Sequence, residues 1–147
     1  MTLFPEIQLT LPQAEAIARG LYAIARADGL HERETALISS FWADQGGRAD
    51  SLSELARSAP IGRDELGSIL DTPTLRQLFI KTALLLIFSD ERVSDNERAL
   101  LREYTNHFGM QAELPEYEYQ VKDYLLAQFS HERGIAELVD MAKKLSL

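Results

Sequence analysis

The sequence predicts an all-α protein: a compact single-domain helical bundle of about six main helices and two short ones. Apolar residues recur at the three- and four-residue spacings of a helix along nearly the whole chain, and no stretch shows sustained two-residue alternation. The length of 147 residues is typical of one domain. We expect residues 1–9 to form an N-terminal extension and residues 10–147 the helical domain, because no linker is long enough to separate two domains.

Two main helices are predicted at the start of the domain. Thr10 is a typical N-cap, and the helix after it ends at Asp28-Gly29. Its apolar stripe consists of Ala14, Ile17, Ala18, Leu21, Ile24 and Ala25. The second helix runs from about residue 31 to residue 44. Its apolar face consists of Leu37, Ile38, Phe41 and Trp42, and we expect the tryptophan to anchor the core.

Two short helices follow. Asp50 or Ser51 is predicted to cap the first, which ends at Arg57. Pro60 and Gly62 interrupt the chain, and the second short helix spans about residues 63–70.

The second half of the chain contains four further predicted helices. The helix over residues 73–88 is apolar around most of its circumference, which is typical of a central element. Ser94 caps the next helix with Glu97 at its third position, and Gly109 ends that helix. Pro115 opens a helix to about Phe129, and the last helix spans about residues 132–145.

An acidic motif occurs twice. Asp28 and Glu34 are six residues apart in the first copy, and Asp90 and Glu97 are seven apart in the second. Each copy joins an apolar helix end to a short loop and then to a new helix with glutamate in its first turn. The sequence therefore predicts two related helix–acidic loop–helix hairpins, whose loops can meet about an approximate two-fold axis.

Both copies resemble the tellurite-resistance TerB-like family, whose members carry Ala/Ser-Asp-Gly-x-x-x-x-Glu and a longer second form of the motif. The resemblance covers residues 10–145. It implies a divalent metal site at Asp28, Glu34, Asp90 and Glu97, and a role in tellurite or stress resistance. Ca²⁺ or Mg²⁺ is expected rather than Zn²⁺, because hard cations prefer oxygen ligands. Neither loop has the ligand pattern of an EF-hand, so we expect modest affinity.

Two features of the second loop leave its role open. Glu91 stands where the first copy has Gly29, although glutamate is disfavoured at positive φ. Whether Glu91 and Asp95 join the site is not decided by the sequence. The alternative is that the loop acids only cap helices, in a helical protein–protein interaction module.

Composition excludes several other classes of function. The chain has 15 Lys and Arg residues against 23 Asp and Glu residues, a net charge of −8 that disfavours nucleic-acid binding. It has no cysteine, so disulfides and thiolate metal sites are excluded. The apolar run from Ala83 to Phe88 is far shorter than the roughly 20 residues of a membrane span, and the first residues do not resemble a secretory signal. We therefore predict a cytoplasmic location.

The chain is predicted not to be an enzyme. It contains neither a phosphate-binding glycine loop nor a nucleophile elbow. Acid–base catalysis by paired carboxylates ranks last, because it needs a substrate cleft that the sequence does not indicate. A protein partner is expected, with the tyrosines of the predicted helix after Pro115 as a candidate surface. Glu103 and His107, four residues apart, are expected to form a surface pair rather than a metal site.

Overall fold

A computed structural model of the chain describes residues 7–89 and 94–133, which form seven α-helices and no strand. The helices are α1 (Leu11–Arg26), α2 (Glu32–Asp44), α3 (Ala49–Arg57), α4 (Arg63–Ile69), α5 (Pro73–Ser89), α6 (Asp95–His107) and α7 (Leu114–Arg133). The all-helical prediction is confirmed. No helix in these two ranges is long and apolar enough to cross a membrane.

Helix α1 begins where the sequence predicts and contacts five other helices, α2 to α6. Thr10 Oγ1 accepts from the Gln13 backbone N–H at 3.3 Å, and Gln13 Oε1 accepts from the Thr10 N–H at 2.9 Å, which closes a capping box. The buried face is rich in alanine and includes Gly20. A Cβ at Gly20 would lie 2.6 Å from Cε1 of Phe79, so the small residue permits the close approach of α1 and α5.

Helix α5 is the central element, as predicted. Eleven of its 17 residues are buried, including Lys81 at 5% exposure. The Lys81 ammonium lies 5.3 Å from the ring centre of Tyr117, and the Lys122 ammonium lies 5.1 Å from that of Phe88. The contact that lies later in α5 also lies later in α7. The two helices therefore run parallel to each other.

Three helix boundaries differ from the prediction. Arg48, and not Asp50 or Ser51, is the N-cap residue of α3. Helix α7 begins at Leu114, one residue before Pro115, and continues through Phe129 to Arg133, so the predicted break near residue 130 is wrong. The rest of the predicted last helix lies outside the described residues. Five main helices and two short ones are therefore described, where about six and two are predicted.

Aromatic side chains fill the centre where α5 meets α6. The Phe79 ring meets Tyr104 edge-on at 5.7 Å between ring centres and meets Phe108 at 6.3 Å. Trp42 is 2% exposed, and its Nε1 donates to the Arg48 carbonyl at 2.8 Å. The predicted core role of the tryptophan is confirmed, and its hydrogen bond fixes the loop that leads into α3.

Candidate functional site

The first acidic loop is a tight turn between α1 and α2. Helix α1 ends at Arg26, and Gly29 has φ of +84°, a conformation that side-chain-bearing residues rarely adopt. His31 is the N-cap residue of α2. This conformation supplies the reason for glycine in the first copy; its counterpart Glu91 lies outside the described residues.

Glu34 is fully buried at the third position of α2. Its Oε1 accepts from the backbone N–H of His31 at 3.2 Å, so one oxygen serves as a helix cap. Its Oε2 is also buried and has no hydrogen-bond partner among the described residues. A buried carboxylate oxygen in that state is costly unless a donor or a cation reaches it.

Asp28 is exposed on the same loop and contacts helix α6. Its Oδ1 accepts from Asn96 Nδ2 at 3.4 Å, across 68 positions of sequence. Asn96 is the second residue of α6, so the contact brings the start of α6 to the first acidic loop. The structure thus shows one contact between the first acidic loop and α6, whereas residues 90–93 of the second loop lie outside the described residues.

The second copy places its glutamate as the first copy does. Ser94 is the N-cap residue of α6, and its Oγ accepts from the Glu97 backbone N–H at 3.2 Å. Glu97 is 1% exposed at the third position of its helix, the position that Glu34 occupies in α2. Asp90, the fourth predicted ligand, lies outside the described residues, whereas Asp95 is described and exposed.

A cationic side chain, Arg26, stands in the last turn of α1, just before the first loop in sequence. The Arg26 guanidinium lies 5.4 Å from the ring centre of Tyr22. Burial raises the pKa of the Tyr22 hydroxyl, and the charge of Arg26 opposes that shift. Arg26 also suits the carbonyl end of its helix. The loop is thus acidic at Asp28, with one cation close in sequence.

Within residues 7–89 and 94–133, no group of three or more His, Asp or Glu side chains is placed to hold a metal ion. The described part of the site consists of one exposed carboxylate and two buried ones, at Asp28, Glu34 and Glu97. Such oxygens suit a hard divalent cation, but a complete ligand set would need further oxygens from the loops, from water or from Asp90.

One residue near the site is missed by the sequence interpretation. Asn96 links α6 to the first acidic loop, although nothing in its local sequence indicates a partner 68 positions away. The capping role of Glu34, by contrast, is the alternative that the sequence leaves open, and the structure shows the hydrogen bond from the His31 N–H to Glu34 Oε1.

His107 and Glu103, which are predicted to pair with each other, have different partners in the structure. His107 Nε2 lies 3.3 Å from Asp64 Oδ1, and Glu103 pairs with Arg63 at 3.7 Å. Both pairs join α4 to α6. They therefore tie a short helix to a longer one, in place of the predicted contact between Glu103 and His107.

The described residues define an all-helical protein in which each helix that follows an acidic-motif loop starts with a buried glutamate. Comparison of the chain with protein-family models, with curated proteins and with solved structures finds no match. The chemistry of the first acidic loop and of the two buried glutamates is therefore the basis of the proposal that follows.

Proposed function

We propose that the chain is a non-enzymatic TerB-like protein that binds a divalent cation, Ca²⁺ or Mg²⁺, through its acidic hairpin loops. Asp28, Glu34, Asp90 and Glu97 supply the carboxylates. In this proposal the protein acts in tellurite or stress resistance as a metal-responsive adaptor for a protein partner.

The observation that carries the proposal is the buried carboxylate of Glu34. One of its oxygens has no hydrogen-bond partner among the described residues, and a cation would satisfy it. The 3.4 Å contact between Asp28 and Asn96 supports a joint site, because it holds the first loop against the helix that carries Glu97.

Cation binding to the folded state should raise stability by mass action. At ten times the dissociation constant the gain is about 1.4 kcal/mol, which corresponds to a Tm increase of roughly 3–6 °C for a domain of this size. We expect Ca²⁺ or Mg²⁺ to produce this increase in protein stripped of metal. Amide NMR shifts should saturate and should be confined to residues near 28–34 and 90–97.

Glu34→Gln is the sharpest variant, because glutamine can still accept from the His31 N–H but carries no charge. The proposal expects E34Q to fold with similar stability and to lose the cation-dependent rise in Tm. Asp28→Asn should weaken the response as well. The matched control is Asp123→Asn on the exposed surface of α7, which should keep the full response.

A second candidate function is a protein–protein interaction module in which the acids are only structural caps. The hydrogen bond from the His31 N–H to Glu34 Oε1 favours it. In that case millimolar cation leaves the amide spectrum unchanged. Cation also leaves the Tm of wild type and the Tm of E34Q unchanged. That result would reject the cation site.

A further inference from the structure

An apolar groove lies between α2 and α5, and none of its lining residues belongs to the acidic motifs. Its volume is about 300 Å³. Five apolar side chains line it, together with Ser40, Asp44, Gln45 and Thr82; the apolar ones are Ile7, Leu37, Phe41, Leu78 and Leu85. Leu78 and Thr82 are buried and form the floor, whereas Leu37, Phe41 and Leu85 are half-buried.

The residues that α2 and α5 contribute to the groove lie on one stripe of each helix. Its lining residues on α2 follow the spacings of one helix stripe, from Leu37 to Asp44, and those on α5 do the same from Leu78 to Leu85. Each stripe spans seven residue steps, or roughly 10 Å of helix. The volume is at the lower end of the roughly 300–1,000 Å³ of ligand pockets, which suits the side chains of one helix face.

One end of the groove is negative. Asp44 is exposed there and is the last residue of α2, where the carbonyl end of the helix dipole is also negative. The last turn of α2 holds no basic residue. No Lys or Arg is among the described residues that line the groove, and the whole chain carries a net charge of −8. An occupant with a cation at this end is therefore favoured.

We propose that the groove binds an amphipathic helix of a partner protein, with Lys or Arg at the end that lies beside Asp44. Apolar residues at helical spacing enter between α2 and α5, and the basic residue pairs with the Asp44 carboxylate and the carbonyl end of α2. This inference is independent of the cation site, since none of the groove residues belongs to the acidic loops.

The probe is a pair of synthetic helical peptides of about 16 residues. One has leucines along a single face and lysines on the other, and the second replaces every lysine with glutamate. Fluorescence anisotropy at 0.15 M salt, which screens general attraction, measures binding to the full chain. We expect the lysine peptide to bind at least tenfold more tightly than the glutamate peptide.

Four variants locate the binding. Asp44→Asn should weaken binding of the lysine peptide about three- to fivefold. Its control, Asp123→Asn, should weaken binding less than 1.5-fold. Leu37→Gln should weaken it at least fivefold, whereas Leu11→Gln, at a leucine that is 61% exposed on α1, should leave it unchanged. Equal losses for D44N and D123N, or no loss for L37Q with its Tm retained, would overturn the proposal.

The free protein provides a second test. In an NMR sample without peptide, methyl groups of Leu37 and Leu85 should show no NOE to residues 1–6 or 134–147. Such NOEs would assign the groove to the chain's own ends and reject a partner helix as its occupant.

Discussion

Tyr104 joins the core to the start of α4. It is 2% exposed, and its hydroxyl donates to the Ile61 carbonyl at 2.7 Å. Burial raises the pKa of this hydroxyl to about 12; Glu103 raises it further and Arg19 acts in the opposite direction. The neutral phenol is therefore the form that the folded state stabilises.

The pH dependence of stability follows from this shift. Because the pKa of Tyr104 in the folded protein lies above the ordinary tyrosine value of 10.0, its contribution to stability is complete below about pH 10 and is lost as pH rises through about 12. Tyr104→Phe should cost roughly 1–3 kcal/mol at pH 7, since it leaves the Ile61 carbonyl without its donor. Urea unfolding at a series of pH values should show that the difference in unfolding free energy between wild type and Y104F becomes smaller above pH 10.

The control for this prediction is Tyr119→Phe, at a tyrosine that is 61% exposed. It should change the free energy of unfolding by less than about 0.5 kcal/mol at pH 7. A Y104F deficit that stayed constant up to pH 12 would contradict the assignment of the raised pKa to Tyr104.

At the scale of elements, the short helix α4 depends on its neighbours. Seven residues with an internal glycine make a weak helix in isolation. Arg76 of α5 donates from Nε to the Leu70 carbonyl at 2.6 Å and from Nη2 to the Gly67 carbonyl at 3.0 Å. Its guanidinium also lies 5.1 Å from the ring centre of Phe108. One side chain thus holds the end of α4 against α5 and α6.

Arg76→Met should destabilise the protein by about 1–3 kcal/mol, because two carbonyl acceptors at the end of α4 lose a charged donor. Arg76→Lys should recover only part of this loss, since lysine lacks the fork that reaches both carbonyls. Thermal and urea unfolding provide the measurement. Arg102→Met, at an exposed position of α6, is the control and should stay within about 0.5 kcal/mol of wild type.

The element predictions succeed where the signal is local. Thr10, Ser94 and Gly109 mark helix ends through contacts or backbone angles within a few residues, and the structure places them there. The start of α3 differs because the Trp42 indole holds the Arg48 carbonyl, a contact that the local pattern does not contain.

The continuity of α7 has a simple cause. Between Glu116 and Arg133 the chain has neither proline nor glycine, so nothing breaks the helix near the polar residues 130–132. Polarity alone is a poor stop signal.

The candidate site is predicted less completely. The repeat correctly marks Glu34 and Glu97 as equivalent, and both are buried. The repeat does not reveal that Asp28 is exposed or that it contacts Asn96, since that contact depends on how two distant helices pack.

At the scale of the whole molecule, we expect the backbone amides of α5 to be the most strongly protected from hydrogen exchange, because this helix is central. Its buried residues from Leu78 to Ile87 should exchange their amide hydrogens only on global unfolding. Their opening free energies should agree with the global value from urea unfolding within about 1 kcal/mol. Amides of residues 27–30, in the exposed first loop, should have opening free energies at least about 3 kcal/mol lower than those of the buried α5 amides. Uniform protection across both segments would contradict this ranking.

The contacts of α1 with five later helices have a consequence during synthesis. The apolar stripe of α1 leaves the ribosome before α5, against which it packs in the folded protein, and 63 residues separate Arg26 from the end of α5 at Ser89. At roughly 5–20 residues per second, that interval lasts about 3–13 s. For these seconds the apolar stripe of α1 lacks the α5 surface that covers it in the folded protein.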